Sequence, residues 1–311
     1  MQAVRIHSFG GPWKVDDIAE PVAGDDQVVA RVVFAGVNPL DIWASQGSVG
    51  GGQSLPMVLG HEAAVEFEGR PYVVQSAGIG LVRDGLYRPQ VALSRSDLVE
   101  LPDGVDLAQA AALPIVGATA VRLVDDLAHC GPGVAVLVLG ASGGVGSVCV
   151  QLAKSRGAYV IAQTSQQAKA GFLESLGADM VLVANEADLT NKLASSPPDV
   201  VLDPLGGGFS GAALQALKRR GQLILYGASS GPEANFPYRY FYRNMLSMLS
   251  YSGTIEPPER RREALDLAIA ELQAGSFTIR IGRVLELSQA PLAPELILER
   301  RMQGKLLIKV S

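Results

Sequence analysis

Cysteine is nearly missing from this chain: two residues, Cys130 and Cys149, among 311. Two thiols exclude a disulfide framework and a structural zinc site built on four thiolates, and they fit a reducing compartment. Histidine is nearly as scarce, at three residues, so any metal site would have to lean on His7, His61 and His129. Long apolar runs are missing too. No stretch reaches the roughly 18–20 residues of a transmembrane helix, and residues 1–6 carry no apolar run of the kind a signal peptide needs. A basic block is absent at a net charge of −5, and nucleic-acid binding needs clustered Lys and Arg to neutralise phosphates. The one dense group, Arg260-Arg261-Arg262, follows Pro257-Pro258-Glu259 and reads as the solvated first turn of a helix. These absences predict a soluble, cytoplasmic protein with neither nucleic acid nor membrane as partner.

Glycine is in excess, at 35 residues against roughly 7% in average usage. Much of it sits in tight clusters, where backbone must turn sharply or approach a ligand. The length suggests two domains at roughly 100–200 residues each, enough core to need no covalent staple. Before about residue 110, short β-rich stretches such as 27–37, 63–68 and 90–93 are broken by Gly, Pro and Asp, which reads as a mostly β domain. From 134 the rhythm changes. Apolar runs at 134–139, 159–163, 180–183, 200–203 and 222–226, with a sixth around 248–253, alternate with helical patterns. Short Val/Ile/Leu runs buried on both faces and joined by helices predict a doubly wound α/β domain with a parallel sheet. Beyond 255 come a helix at 263–272, a short strand at 278–284 and a closing run at 305–310 that reads as a strand returning to the first sheet. The expected domains are therefore 1–112 with 254–311, and 113–253 inserted between them.

The first run of the α/β region leads into Gly140-Ala141-Ser142-Gly143-Gly144-Val145-Gly146, where a helix opens. Strand, glycine turn and helix are the context of a dinucleotide fingerprint, here with Ala141 in place of the first glycine. The backbone of Ser142, Gly143, Gly144 and Val145 can approach a pyrophosphate at the positive end of the helix. Along that helix Val145, Val148, Cys149 and Leu152 share one apolar face, so Cys149 reads as core. An NAD site places an acid about 20 residues past the glycines, on the ribose 2′-hydroxyl. This chain has Gln163-Thr164-Ser165-Gln166-Gln167-Ala168-Lys169 and no acid before Glu174. Thr164, Ser165 and Lys169 offer hydroxyls and an ammonium to a 2′-phosphate instead, which predicts NADPH over NADH. Asp203-Pro204-Leu205-Gly206-Gly207-Gly208 and Tyr226-Gly227-Ala228-Ser229-Ser230-Gly231 close two further strands. Ligands bind beyond such strand ends, so Tyr226 and Gly227 are expected at the nicotinamide half of the cofactor.

These motifs, together with Gly36-Val37-Asn38-Pro39-Leu40-Asp41, Leu59-Gly60-His61-Glu62, Leu101-Pro102-Asp103-Gly104, Ala110-Ala111-Ala112-Leu113-Pro114, Gly117-Ala118-Thr119-Ala120, Leu176-Gly177-Ala178-Asp179 and Gly304-Lys305, span nearly the whole chain. The chain resembles the medium-chain dehydrogenase/reductase superfamily, and within it the zinc-independent quinone oxidoreductase (zeta-crystallin-like) branch. The resemblance implies a GroES-like, mostly β catalytic domain built from both chain ends, a Rossmann doubly wound parallel sheet inserted in it, and a substrate cleft at their junction. Alcohol dehydrogenase members hold zinc at positions that match Asn38, His61 and Ile115. An amide and an isoleucine do not replace thiolates, so no metal is expected and His61 reads as structural or pocket-lining.

By resemblance, Asn38 faces the nicotinamide and the substrate oxygen, and Asp41 holds the loop. Trp43 shapes the pocket where many relatives carry Tyr. Thr119 meets the nicotinamide amide, and Lys305 is assigned to the cofactor as well. Trp43 has an N–H but no phenolic acid, which leaves solvent as the proton source. Without a Lewis acid to activate an alcohol, the expected reaction is NADPH-dependent, zinc-independent hydride transfer to a quinone or an α,β-unsaturated carbonyl. Two alternatives stay open: an enoyl-thioester reductase, and an NADPH-binding sensor or structural protein with little turnover. Ser48, Gly50-Gly51-Gly52 and residues 53–59 suggest a mobile lip. The stretch between 68 and 101 is short for this family, with residues 69–74 standing in for a usual strand. A homodimer paired through residues 248–254 is expected.

Overall fold

The computed structural model describes residues 1–50, 54–75 and 77–311. The lip expected over residues 48–59 falls in part on positions 51–53, which lie outside the described residues. The chain divides into two compact units. The first comprises Met1–Ile115, Pro257–Ile269 and Ile279–Ser311, and the second Val116–Glu256 and Ala270–Thr278.

The first unit is mostly β. Its strands before the second unit are β1 (Gln2–Ile6), β2 (Lys14–Asp17), β3 (Gln27–Val37), β4 (Met57–Val58), β5 (Glu62–Phe67), β6 (Arg70–Val74), β7 (Gln90–Ser94) and β8 (Leu98–Glu100). The longest, β3, is the hub. In its first half Val28, Ala30 and Val32 are buried while Val29 and Arg31 face out, the alternation of a sheet with one wet face. A register shift between Val32 and Phe34 against β5 then turns the strand, and Ala35, Gly36 and Val37 are all buried. β7 pairs with the first half and β5 with the second, both antiparallel. Residues 70–74 form β6 between β5 and β8.

The second unit carries β9 (Ala135–Val138), β10 (Tyr159–Thr164), β11 (Met180–Val183), β12 (Val200–Asp203), β13 (Gln222–Leu225) and β14 (Ser247–Ser250). They form one sheet in the order β11-β10-β9-β12-β13-β14, every pair parallel. Val136, Leu137 and Val138 of β9 and all of β12 are buried, as strands covered on both faces must be. At the far edge, β14 has all four residues exposed. The helix Pro258–Gln273 runs from one unit into the other. Its Arg260 and Arg262 are exposed and pair with Glu263 and Asp266 one turn on, while Arg261 between them is half-buried.

The chain then returns to the first unit as β15 (Ile281–Glu286) and β16 (Lys305–Lys309), and β16 lies antiparallel to β3. Both chain ends therefore build one sheet, with the doubly wound sheet inserted between them. The strand expected at 278–284 begins later because two glutamine amides capture its start. Gln151 Oε1 accepts from Thr278 N–H at 3.0 Å, and Gln109 Oε1 accepts from Ile279 N–H at 2.8 Å. Among the described residues no helix is long and apolar enough to cross a membrane.

Candidate functional site

In the second unit the glycine turn closes β9 and opens the helix Gly144–Ser155. Gly140 sits at φ +57°, where a side chain is strained, and a Cβ on Gly146 would stand 2.7 Å from the Gly140 carbonyl oxygen. Only glycine lets the helix close on the turn. The N-cap is Gly143 and no side chain caps this end, so the first-turn N–H groups and the positive end of the helix are left for an anion. Ser142 is buried and Gly143, Gly144 and Val145 are half-buried around this cradle. The arrangement fits a dinucleotide pyrophosphate.

Gln163, which reads in sequence only as a strand residue, ties the cradle to the sheet. Its Oε1 accepts from Gly140 N–H at 2.9 Å, and its Nε2 donates to Ala184 O at 2.6 Å. Its signal in sequence is an uncharged amide inside an otherwise apolar run.

Past β10 the three residues expected at a 2′-phosphate differ in exposure. Thr164 is buried, and its hydroxyl accepts from Gln166 N–H at 3.3 Å. Ser165 is exposed. Lys169 ends a short 3-10 turn and is only 6% exposed, not a solvated helix lysine, and burial lowers its pKa.

The loops after β12 and β13 are built on each other. Asp203 caps its own turn, accepting from Leu205 and Gly206 N–H at 2.8 and 3.1 Å and from the Ser210 hydroxyl at 2.6 Å. Burial raises its pKa, and those three donors hold it down. A Cβ on Gly227 would stand 2.6 Å from Pro204 O, so only glycine permits the close approach of the loops. Tyr226 points its hydroxyl inward. That oxygen is buried with no partner among the described residues, and burial, then Cys149 and Asp203, push its pKa well up. The two thiols are held protonated by burial, Cys130 to about 12. Thr119 is half-buried on the short helix Ala118–Val121.

The first unit holds a buried polar cluster. Asn38 caps the helix Pro39–Ser45, and its backbone N–H donates to Asp41 Oδ2 at 2.7 Å. Asp41 Oδ1 takes His61 Nδ1 at 2.6 Å, while His61 Nε2 is buried and unpartnered among the described residues. Asn38 Nδ2 donates to Glu62 Oε1 at 2.9 Å, and Glu62 Oε2 accepts from Ile115 N–H at 2.9 Å. The Lys305 ammonium lies 2.6 Å from Glu62 Oε1 and also donates to Asn38 Oδ1. Trp43, on the same helix as Asp41, is half-buried.

Asn38 and Asp41 thus stand together at the start of one helix, and Lys305, assigned in the sequence to the cofactor, has its ammonium committed to Glu62 and Asn38. Tyr87 is a member that sequence reasoning misses. Its hydroxyl donates to Gly36 O at 3.1 Å, and burial, with Asp41 and Glu62 beside it, pushes its pKa well above the ordinary phenol range.

Zinc does not fit this cluster. A catalytic site needs three protein donors and a water. Of the three candidate positions, Ile115 has no side-chain donor, and the Asn38 carbonyl oxygen is already occupied by the Lys305 ammonium. Among the described residues no group of three His, Cys, Asp or Glu side chains is placed to hold a metal ion.

Residues 144–270 match the family model described as "Zinc-binding dehydrogenase". The quinone oxidoreductase of Sus scrofa is 29% identical over 325 residues, covering 99% of this chain and 97% of that protein. The Escherichia coli protein named "Probable acrylyl-CoA reductase AcuI" is 26% identical over the full length of both chains. The crystal structure of the quinone oxidoreductase from Thermus thermophilus, also solved as its complex with NADPH, superposes with a TM-score of 0.87. Its sequence identity is 29%, with both chains fully covered.

Proposed function

We propose that this chain, an oxidoreductase with a nicotinamide cofactor site that resembles the quinone oxidoreductase branch of the medium-chain dehydrogenase/reductase superfamily, uses NADPH to reduce a quinone or an α,β-unsaturated carbonyl, without zinc. The observation that carries this reading is the Lys305 ammonium seated on Glu62 and Asn38, among the positions a metal would need. With no Lewis acid there to make an alcohol's proton labile, the better-suited substrate is an electron-poor acceptor, which needs only orientation and hydrogen bonds.

The bound dihydronicotinamide supplies the hydride. The glycine turn at 140–146 holds the pyrophosphate, and Thr164, Ser165 and Lys169 meet the 2′-phosphate. Thr119 and the backbone at Tyr226 and Gly227 contact the nicotinamide half. Asn38 donates to the substrate oxygen and Trp43 lines its pocket. Asp41 fixes the helix start on which Asn38 stands. The proton that balances hydride transfer would come from solvent, because Trp43 offers no phenolic acid.

The test is NADPH oxidation across a panel of ortho- and para-quinones, 2-alkenals and acyl thioesters, with and without chelator. Turnover of quinones or alkenals that survives chelation supports the proposal. Loss on chelation, or tight NADPH binding without turnover on the whole panel, overturns it. A second reading, reduction of an enoyl thioester, draws on the full-length likeness to the acrylyl-CoA reductase and predicts that thioesters lead the panel.

A further inference from the structure

The orientation of an asparagine amide is usually ambiguous, because its oxygen and nitrogen look alike. At Asn38 the neighbours decide it. An ammonium can only donate and a carboxylate can only accept, so Lys305 must face Oδ1 and Glu62 must face Nδ2. A flipped amide would set N–H against ammonium and C=O against carboxylate.

The holders are themselves held. Glu62 is anchored by Ile115 N–H and lies under Gly36, where a Cβ would strike its carboxylate. Lys305 opens β16, and its own N–H donates to Arg280 O at 2.8 Å. Asp41 fixes the Asn38 backbone. Asn38, Glu62 and Lys305 are all less than 5% exposed, so water does not compete for these bonds.

We infer that Lys305 is a positioning residue that locks the Asn38 amide so that its second Nδ2–H, and not its carbonyl, is what the substrate meets. This rests on the proposal that Asn38 receives the substrate oxygen. It deepens that proposal by naming the partner chemistry: the substrate atom at Asn38 is a hydrogen-bond acceptor, a carbonyl or quinone oxygen. The ammonium on Oδ1 also polarises the amide and strengthens the N–H as a donor. An amide locked this way presents a donor, and no acceptor, to the substrate.

The experiment compares wild type with Lys305→Met, Lys305→Arg and the double variant Lys305→Met/Glu62→Gln. It reads NADPH affinity, melting temperature, kcat and KM separately, and the side-chain amide pair of Asn38 by NMR with selectively labelled asparagine. Expected are NADPH affinity near wild type in every variant and a kcat lowered about 10- to 100-fold in Lys305→Met, with smaller change in KM. Lys305→Arg, which keeps donors at Oδ1, should recover part of it.

The double variant separates positioning from charge balance. It removes both buried charges, so its melting temperature should return toward wild type while kcat stays low and the Asn38 amide signal shows free rotation. If the double variant regains wild-type kcat, Lys305 serves only to neutralise Glu62 and the inference is overturned. Should Lys305→Met fail to fold, the double and Arg variants still decide. A wild type with no turnover on any acceptor sinks the proposed reaction. The amide signal alone then decides the positioning: rigid in wild type and loosened without Lys305 supports it, free in wild type overturns it.

Discussion

Glu62 lies directly against the backbone of Gly36, so close that a Cβ on the glycine would collide with the carboxylate. Glu62 is fully buried, and it bonds Asn38, Ile115 and Lys305 at once. Gly36→Ala therefore has to push a pinned carboxylate out of its bonds. The expected cost is about 2 kcal/mol of stability, together with a fall in kcat. NADPH affinity should hold, because the glycine cradle belongs to the second unit. Thermal unfolding with a fluorescence titration of NADPH checks both. A variant with wild-type melting temperature and kcat would refute the packing.

Much of the fold is readable from local patterns. The turn at 140–146 carries its own chemistry, since positive φ and close approach demand glycine at fixed offsets, and the alternation of apolar runs with helical segments is visible without tertiary knowledge. The cluster is different. Lys305 and Asn38 stand 267 residues apart in the chain, and no periodicity announces that the ammonium turns to Glu62. Tyr87 reaches Gly36 across 51 residues. Lys169 reads in the sequence as an ammonium offered to a phosphate, and only packing decides that it is buried. The late start of β15 has the same origin, in the side chains of Gln109 and Gln151 that lie far away in sequence.

If Lys169 meets a 2′-phosphate as proposed, cofactor preference will depend on pH. Burial lowers the Lys169 pKa from the ordinary lysine value, so the ammonium that would meet a 2′-phosphate is lost at a lower pH than that of an exposed lysine. The ratio of kcat/KM for NADPH over NADH should therefore shrink as pH rises through the alkaline range. Lys169→Met should lower the ratio about tenfold at pH 7, the loss of one charge-assisted contact. Equal or better kcat/KM with NADH in wild type would reject the assignment.

At the edge of the parallel sheet, β14 offers Ser247, Met248, Leu249 and Ser250 with no charge among them. Met248 is 43% and Leu249 39% exposed. Open edges are usually blunted by charge, proline or a covering element, so this one is expected to pair with a second copy. Light scattering at micromolar concentration should report a homodimer, and Leu249→Lys should shift it to monomer without lowering NADPH affinity. A monomeric wild type refutes the pairing.

Arg156 ties three segments of the second unit together. It donates to Asp125 through Nε and Nη2, each at 2.9 Å, and to Glu271 through Nη2 at 2.7 Å. The Arg156 bond holds the Glu271 carboxyl below its ordinary pKa, and burial opposes this only in part. A depressed folded-state pKa stabilises the protein above the unfolded value, about 4.3 for Glu, and that stabilisation drains away as pH falls through the folded value. Glu271→Gln should thus be less stable than wild type by about 1 kcal/mol at pH 7, given a partly exposed pair. The gap should close as pH falls below the unfolded value and through the lower folded one, where the wild-type carboxyl takes up its proton. Urea unfolding at pH 7, 5 and 3.5 measures it. A gap that stays constant across that range would mean that Glu271 acts through packing, not through its charge on Arg156.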